Sequence, residues 1–138
     1  MSAFEILEHP SDLGIESHGK TIEEMYCNAA HGLMFVIAGS SIIDSRGERI
    51  INISAINLEN LLVRWLSEIL FFYDAEKFLT ADVKFGMLND TFLKARIIGE
   101  PFDASKHKLK LDIKAITYHQ LKIEKLNEIW TARVFVDI

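Results

Sequence analysis

The chain has 138 residues, of which 49% are hydrophobic and 25% charged, with only two prolines and seven glycines. These values are typical of one folded domain and exclude a low-complexity tract or a linker. The net charge of -5 argues against extended binding to a nucleic-acid backbone, and the single cysteine excludes an internal disulfide and a multi-cysteine metal site.

The N-terminal segment turns acidic almost at once and has no basic region followed by an apolar run, so we expect no secretory signal. No apolar stretch reaches the ~18 residues that favour a membrane span. A lone cysteine also fits a reducing compartment. The sequence therefore predicts a cytoplasmic protein that does not associate with a membrane.

Two short strands are predicted at the start of the chain. The first covers residues 4–8 and ends before Pro10, which lacks a backbone N–H and favours a turn. The second covers residues 12–19, where apolar and polar positions alternate as they do in a strand with one buried face. Asp12 falls on the polar side of this strand.

Two helices are predicted, at about residues 21–38 and 57–77. Thr21 and Glu24 have the spacing of a capping box, which marks the start of the first helix. Asn57 has the position of an N-cap for the second helix. The apolar face of the second helix is so wide that we expect both a sheet and the first helix to cover it.

The remaining segments alternate in the manner of β-strands. They are residues 48–55, between the helices, then 83–87, 93–97 and 109–115, and finally the two arms of a hairpin that turns at Asn127. Asp137 and Lys114 fall on the polar sides of their strands. This order predicts an α+β fold, a single domain over residues 1–138, with mostly antiparallel sheets packed against two main helices.

Most common site motifs are absent from the sequence. There is no glycine-rich phosphate loop and no nucleophile elbow, and the five histidines offer none of the usual zinc spacings. Cys27 lies on a small-residue face of the first predicted helix, which indicates a buried and inert thiol.

Carboxylates at the two ends of the chain indicate a different chemistry. Glu8 and Asp12 flank a turn, and Asp137 is followed by the main-chain carboxylate of Ile138. If these anions meet at one sheet edge, a hard cation such as Ca²⁺ or Mg²⁺ is needed to offset their repulsion. Lys114 would then be a phosphate contact beside the metal. The alternative is a set of solvated acids and a surface lysine.

Four segments together resemble the archease family, small proteins that activate RtcB-type tRNA ligases. They occur in the family's order and span nearly the whole chain: EHPSDLGIESHGKTIEEMYCNAAHGL, LLVRWLSEILFFYDAEKF, IKAITYH and VFVDI. Each segment is a weak signal by itself, but the ordered set is specific.

The resemblance implies a non-catalytic partner of an RNA ligase. In the family, archease helps the ligase acquire GMP from GTP on its active-site histidine, so that the ligase turns over repeatedly in tRNA splicing. GTP and tRNA are then contacted through the ligase. The resemblance implies metal binding by Asp12, Asp137 and the terminal carboxylate of Ile138, and a functional role for Lys114.

Glu8, His9 and Glu23 are further candidate site residues, without an assigned role. The family motif opens with Asp where this chain has Glu8, and it has Thr-Ala where this chain has Pro10-Ser11. The additional methylene of Glu8 could move its carboxylate out of reach of the metal.

Two other functions fit the same residues. One is a stand-alone, metal-dependent phosphohydrolase that uses the carboxylates. The other is a small RNA-binding module that uses the lysines between residues 106 and 125. The acidic net charge makes RNA binding the weaker of the two.

Overall fold

The computed structural model describes residues 2–138, and within them the chain forms two helices and eight strands. In chain order these are β1 (Phe4–Glu8), β2 (Asp12–Gly19), α1 (Ile22–Ala38), β3 (Gly47–Ser54), α2 (Leu58–Glu76), β4 (Phe78–Leu88), β5 (Phe92–Pro101), β6 (Ala115–Ile116), β7 (Lys122–Leu126) and β8 (Ile129–Asp137).

The strands form two sheets in which every pairing is antiparallel. The larger sheet has the order β1-β2-β8-β6, and β7 pairs with β8 on the same edge as β6. The smaller sheet has the order β3-β5-β4. The predicted α+β fold with mostly antiparallel sheets and two main helices is therefore confirmed.

Both helices begin where their N-terminal capping residues predict. The Thr21 hydroxyl accepts from the Glu24 N–H at 3.0 Å, and the Asn57 side chain caps α2 in the same way at 2.8 Å. Gly39 follows α1 with φ 59°, and Lys77 ends α2 in the left-handed conformation with φ 55°. Neither helix of residues 2–138 is long and apolar enough to cross a membrane.

One hydrophobic core joins both helices and both sheets, because each helix contacts strands of both sheets. Trp65 of α2 and Tyr26 of α1 are fully buried. The Trp65 indole donates to the Tyr26 carbonyl at 3.1 Å, which joins the helices and satisfies the indole N–H. The broad apolar face of α2 is thus covered from more than one side, as the sequence predicts.

The predicted strand at 109–115 is wrong except at its last residue, where the short strand β6 begins. The alternation of side chains is partly kept, since Ile113 is buried, but Leu111 is 43% exposed. Only the end of the segment pairs with a neighbouring strand, through the Lys114 N–H that donates to the Asp137 carbonyl of β8. Earlier in the segment the Lys110 N–H donates instead to the Ile37 carbonyl of α1 at 2.7 Å. A strand requires a neighbouring strand as well as alternation.

Candidate functional site

Asp12 and Asp137, which are far apart in the sequence, are direct partners in the antiparallel pair of β2 and β8. Side chains of directly opposed residues lie on the same face of a sheet, with Cβ atoms about 4.5–5.5 Å apart. On the other edge of β8, the Lys114 N–H donates to the Asp137 carbonyl at 2.8 Å. The larger sheet therefore brings all three residues to one end.

The Asp12 carboxylate has an unsatisfied oxygen. Its side chain is 16% exposed, and Oδ1 is buried without a hydrogen-bond partner among residues 2–138. The His9 Nδ1 lies 3.3 Å away, outside hydrogen-bonding geometry. A buried, unpartnered carboxylate oxygen beside a second carboxylate is unfavourable, and a cation would relieve both problems. The unpartnered Oδ1 of Asp12 is therefore the observation that indicates a fit between this site and a metal ion.

An aromatic cluster supports Asp12 from the outer face of the sheet. Phe135 lies on that face but is only 2% exposed, because the rings of His9 and His119 pack against it at centroid distances of 5.0 and 6.1 Å. Gly14, its strand partner, leaves the necessary room, since a Cβ there would lie 2.9 Å from the Phe135 ring. The cluster places the His9 imidazole next to the Asp12 carboxylate.

Phe135 and His119 were missed as site residues by the sequence analysis. Alternation along β8 places Phe135 on the outer face with Asp137, but side chains on an outer face are normally expected to be exposed to solvent. The signal that could have revealed the buried ring is Gly14, a residue without a side chain in the middle of a paired strand.

The other predicted residues lie at different distances from this pair. The Ile138 side chain packs against the core, which holds the end of the chain beside Asp137. Glu8 is exposed at the end of β1, opposite Leu13. Glu23 is exposed in the first turn of α1, beyond the far end of β2. The structure thus does not bring Glu23 to the aspartates.

The Cys27 thiol is partly buried in α1. Burial and the negative charges of Asp82 and Glu24 raise the pKa of this thiol to about 11. The metal-free protein therefore holds it as a protonated thiol at neutral pH, which disfavours a nucleophilic role.

A second polar cluster surrounds Glu100, which is 2% exposed. Its carboxylate accepts from the Asp44 N–H at 2.7 Å, from the Lys106 ammonium at 3.0 Å and from His107 Nε2 at 2.9 Å. The Asp103 N–H donates to His107 Nδ1, so the imidazole proton is on Nε2. The Asp44 N–H and Lys106 hold the pKa of Glu100 at about 2.

The chain matches the model of the Archease protein family (MTH1598/TM1083) over residues 4–138. It is 36% identical to the protein archease of Sulfurisphaera tokodaii over 140 residues, with 100% of both chains covered. It is also 36% identical to the protein archease of Pyrococcus furiosus over 142 residues, again with 100% of both covered.

Two solved structures are similar to this chain. The solution structure of Methanobacterium thermoautotrophicum protein 1598 has a TM-score of 0.86 and 28% identity, with both chains fully covered. The crystal structure of an archease, possible chaperone, from Thermotoga maritima has a TM-score of 0.65 and 21% identity, and covers 97% of this chain and 96% of its own. The second match supports the fold alone.

Proposed function

The chain belongs to the archease family, and on this basis we propose that it is a protein cofactor of an RtcB-type RNA ligase. It promotes the GTP-dependent guanylylation of the ligase, and thereby multiple turnover in tRNA splicing. The protein is not itself an enzyme, and it meets GTP and tRNA through the ligase in the cytoplasm.

The pairing of Asp12 with Asp137 is the observation that supports a metal-dependent role. Their side chains and the main-chain carboxylate of Ile138 would hold a divalent cation, Ca²⁺ or Mg²⁺, because hard cations prefer oxygen ligands. When bound, the ion supplies positive charge toward phosphate oxygens. The buried Oδ1 of Asp12, which lacks a donor, favours such an ion over a plain acidic surface.

Lys114 and His9 act around this pair. Lys114 is exposed, while its backbone is fixed to Asp137, so its ammonium can contact a phosphate group at the same end of the sheet. His9 is held on the Phe135 ring, and its imidazole lies beside the Asp12 carboxylate. Glu8 lies at the end of β1 and contributes negative charge at the rim.

An RNA-ligation assay with limiting ligase tests the proposal. The wild-type chain should raise the product above one ligation per ligase molecule, whereas Asp12→Asn and Asp137→Asn should leave the reaction near single turnover. Glu128→Gln is the matched control, since it removes one negative charge at the turn beyond the opposite end of β8. Full stimulation by both aspartate variants would refute the role of the pair.

The contribution of Ile138 can be tested without changing either aspartate. One glycine added after Ile138 moves the terminal carboxylate outward and leaves the Asp12 and Asp137 side chains unchanged. We expect stimulation of the ligase to fall at least tenfold while the thermal unfolding midpoint stays the same. Undiminished stimulation would remove the terminal carboxylate from the ligand set and leave the aspartates in it.

Assays without the ligase test the two alternative functions. A cofactor protein should hydrolyse none of a panel of nucleotides in Mg²⁺ or Ca²⁺, whereas a phosphohydrolase would turn them over. It should also bind tRNA weakly, in keeping with its net charge of -5. Tight tRNA binding that weakens steeply with salt would instead favour the RNA-binding module.

A further inference from the structure

A second group of metal-ligand side chains lies outside the aspartate pair. Cys27 and His31 are four residues apart on α1 and share one face of the helix. Asp82 of β4 faces them across the helix–sheet interface. The Cys27 Sγ, a ring nitrogen of His31 and a carboxylate oxygen of Asp82 all lie within 4.8 Å of one another.

A distortion in β4 directs Asp82 toward the helix. The pairing of β4 with β5 shifts register between Thr80 and Asp82, which is the pattern of a β-bulge, and bulges re-aim side chains. Gly99 of β5 permits the close approach, because a Cβ there would collide with the Leu79 carbonyl at 1.8 Å. One Asp82 oxygen accepts from the Val83 N–H at 2.8 Å, which orients the carboxylate.

We propose that Cys27, His31 and Asp82 form a binding site for a divalent transition metal, with Zn²⁺ as the expected ion. Tetrahedral Zn²⁺ with sulfur, nitrogen and oxygen ligands places its donor atoms about 3.4–3.6 Å apart. The present donors lie within 4.8 Å of one another, so small side-chain movements bring them to that spacing. A thiolate and an imidazole favour Zn²⁺ over Ca²⁺ and Mg²⁺.

The His31 side of this group is open to a cavity. The cavity has a volume of about 260 Å³ and is lined by His31, Thr80 and Ala81 among others. The Thr80 hydroxyl is buried without a hydrogen-bond partner among residues 2–138.

Another group on the outer face of the larger sheet, Glu5, Glu16 and His18, has equally close donor atoms. These are already used, since Arg133 binds the Glu16 carboxylate at 2.6 Å and His18 bonds the Thr131 hydroxyl at 3.2 Å. The group also lacks a thiol. It serves as the comparison against which the Cys27 site is tested.

Cobalt titration of the chelator-treated full chain distinguishes the sites, because absorption from thiolate-to-Co²⁺ charge transfer arises only where Cys27 binds the ion. The wild-type chain should develop this absorption and lose it when Zn²⁺ is added. Cys27→Ser should abolish it. Asp82→Asn should weaken Co²⁺ binding at least tenfold, and because Asp82 is exposed this variant should fold normally.

Glu5→Gln and Asp12→Asn are the controls, and both should keep the wild-type charge-transfer absorption. The proposal is overturned if the wild-type chain shows no such absorption, or if Asp82→Asn binds Co²⁺ as tightly as the wild-type chain does. Since the ligase assay does not enter this experiment, its outcome is independent of the proposed cofactor function.

Discussion

Two acidic groups in this protein differ in how they are satisfied. Glu100 is buried with three donors, from Asp44, Lys106 and His107, and its pKa is held at about 2. Asp12 lies opposite a second carboxylate, Asp137, and keeps a buried oxygen without a donor. Buried polar groups are normally paired, so an unpaired one requires its own explanation.

The difference separates a structural role from a functional one. The Glu100 network joins the loop before β3 to the loop after β5. Donors within the chain already satisfy the Glu100 carboxylate. The aspartate pair is incomplete within the chain itself, and a cation or a partner would complete it. Loss of Glu100 should therefore reduce stability, whereas loss of Asp12 should reduce function.

The largest expected effect is that of Glu100→Ala. The substitution leaves the Lys106 ammonium, the His107 Nε2–H and the Asp44 N–H without their acceptor, so the thermal midpoint should fall by roughly 10 °C or more. Asp12→Asn, measured in the same experiment, should leave the midpoint unchanged or raise it. Equal losses in the two variants would remove the contrast between the sites.

The pH dependence of stability should show the same contrast. The pKa of Glu100 is lowered from 4.5 to about 2, so its stabilising contribution is complete above about pH 4.5 and is lost as the pH falls toward 2. Urea unfolding across this range should give a steeper loss for the wild-type chain than for Glu100→Gln. Hydrogen bonds from Ser105 also lower the pKa of Asp103. Asp103 is unchanged in Glu100→Gln, so this variant should keep part of the stability loss at low pH. Parallel curves for the two proteins would contradict the assignment.

A smaller effect is expected from a substitution that disturbs the packing beside the Asp12–Asp137 pair. In Gly14→Ala the new Cβ would lie 2.9 Å from the Phe135 ring, and the overpacking should cost about 1–3 kcal/mol in the free energy of unfolding. Displacement of the ring also moves His9 away from Asp12, so stimulation of the ligase should fall.

Gly86→Ala is the matched control, because the nearest atom to its Cβ would be 3.6 Å away, at ordinary contact distance. Its unfolding free energy and its stimulation of the ligase should stay close to wild type. If Gly14→Ala behaves in the same way, the aromatic cluster does not position His9.

Local signals predicted much of the fold. The caps at Thr21 and Asn57 placed both helices within about one residue of their observed starts, because capping depends on neighbours in the sequence. The segment at 109–115 failed for the opposite reason. The Lys110 N–H donates to the Ile37 carbonyl of α1 and not to a strand, and alternation of side chains does not reveal which backbone groups will be available.

The contacts within the candidate sites were also only partly predictable from local sequence signals. The ordered motifs pointed to Asp12 and Asp137. Whether the two residues lie opposite each other depends on the register of β2 and β8, which the sequence alone does not determine. Cys27 and His31 had a visible helical spacing, yet their third ligand comes from a bulge in β4. Nothing local to Asp82 indicates that contact.

The smallest effect is expected from Glu23→Gln, which tests how far the proposed functional surface extends from Asp12 and Asp137. Glu23 follows the far end of β2, and that eight-residue strand places it roughly 23 Å from Asp12. The substitution removes a favourable charge from the first turn of α1, so stability should fall by about 0.5 kcal/mol. Stimulation of the ligase should be unchanged, with Asp12→Asn as the positive control for its loss. If Glu23→Gln folds normally but fails to stimulate, the functional surface extends to the opposite end of β2.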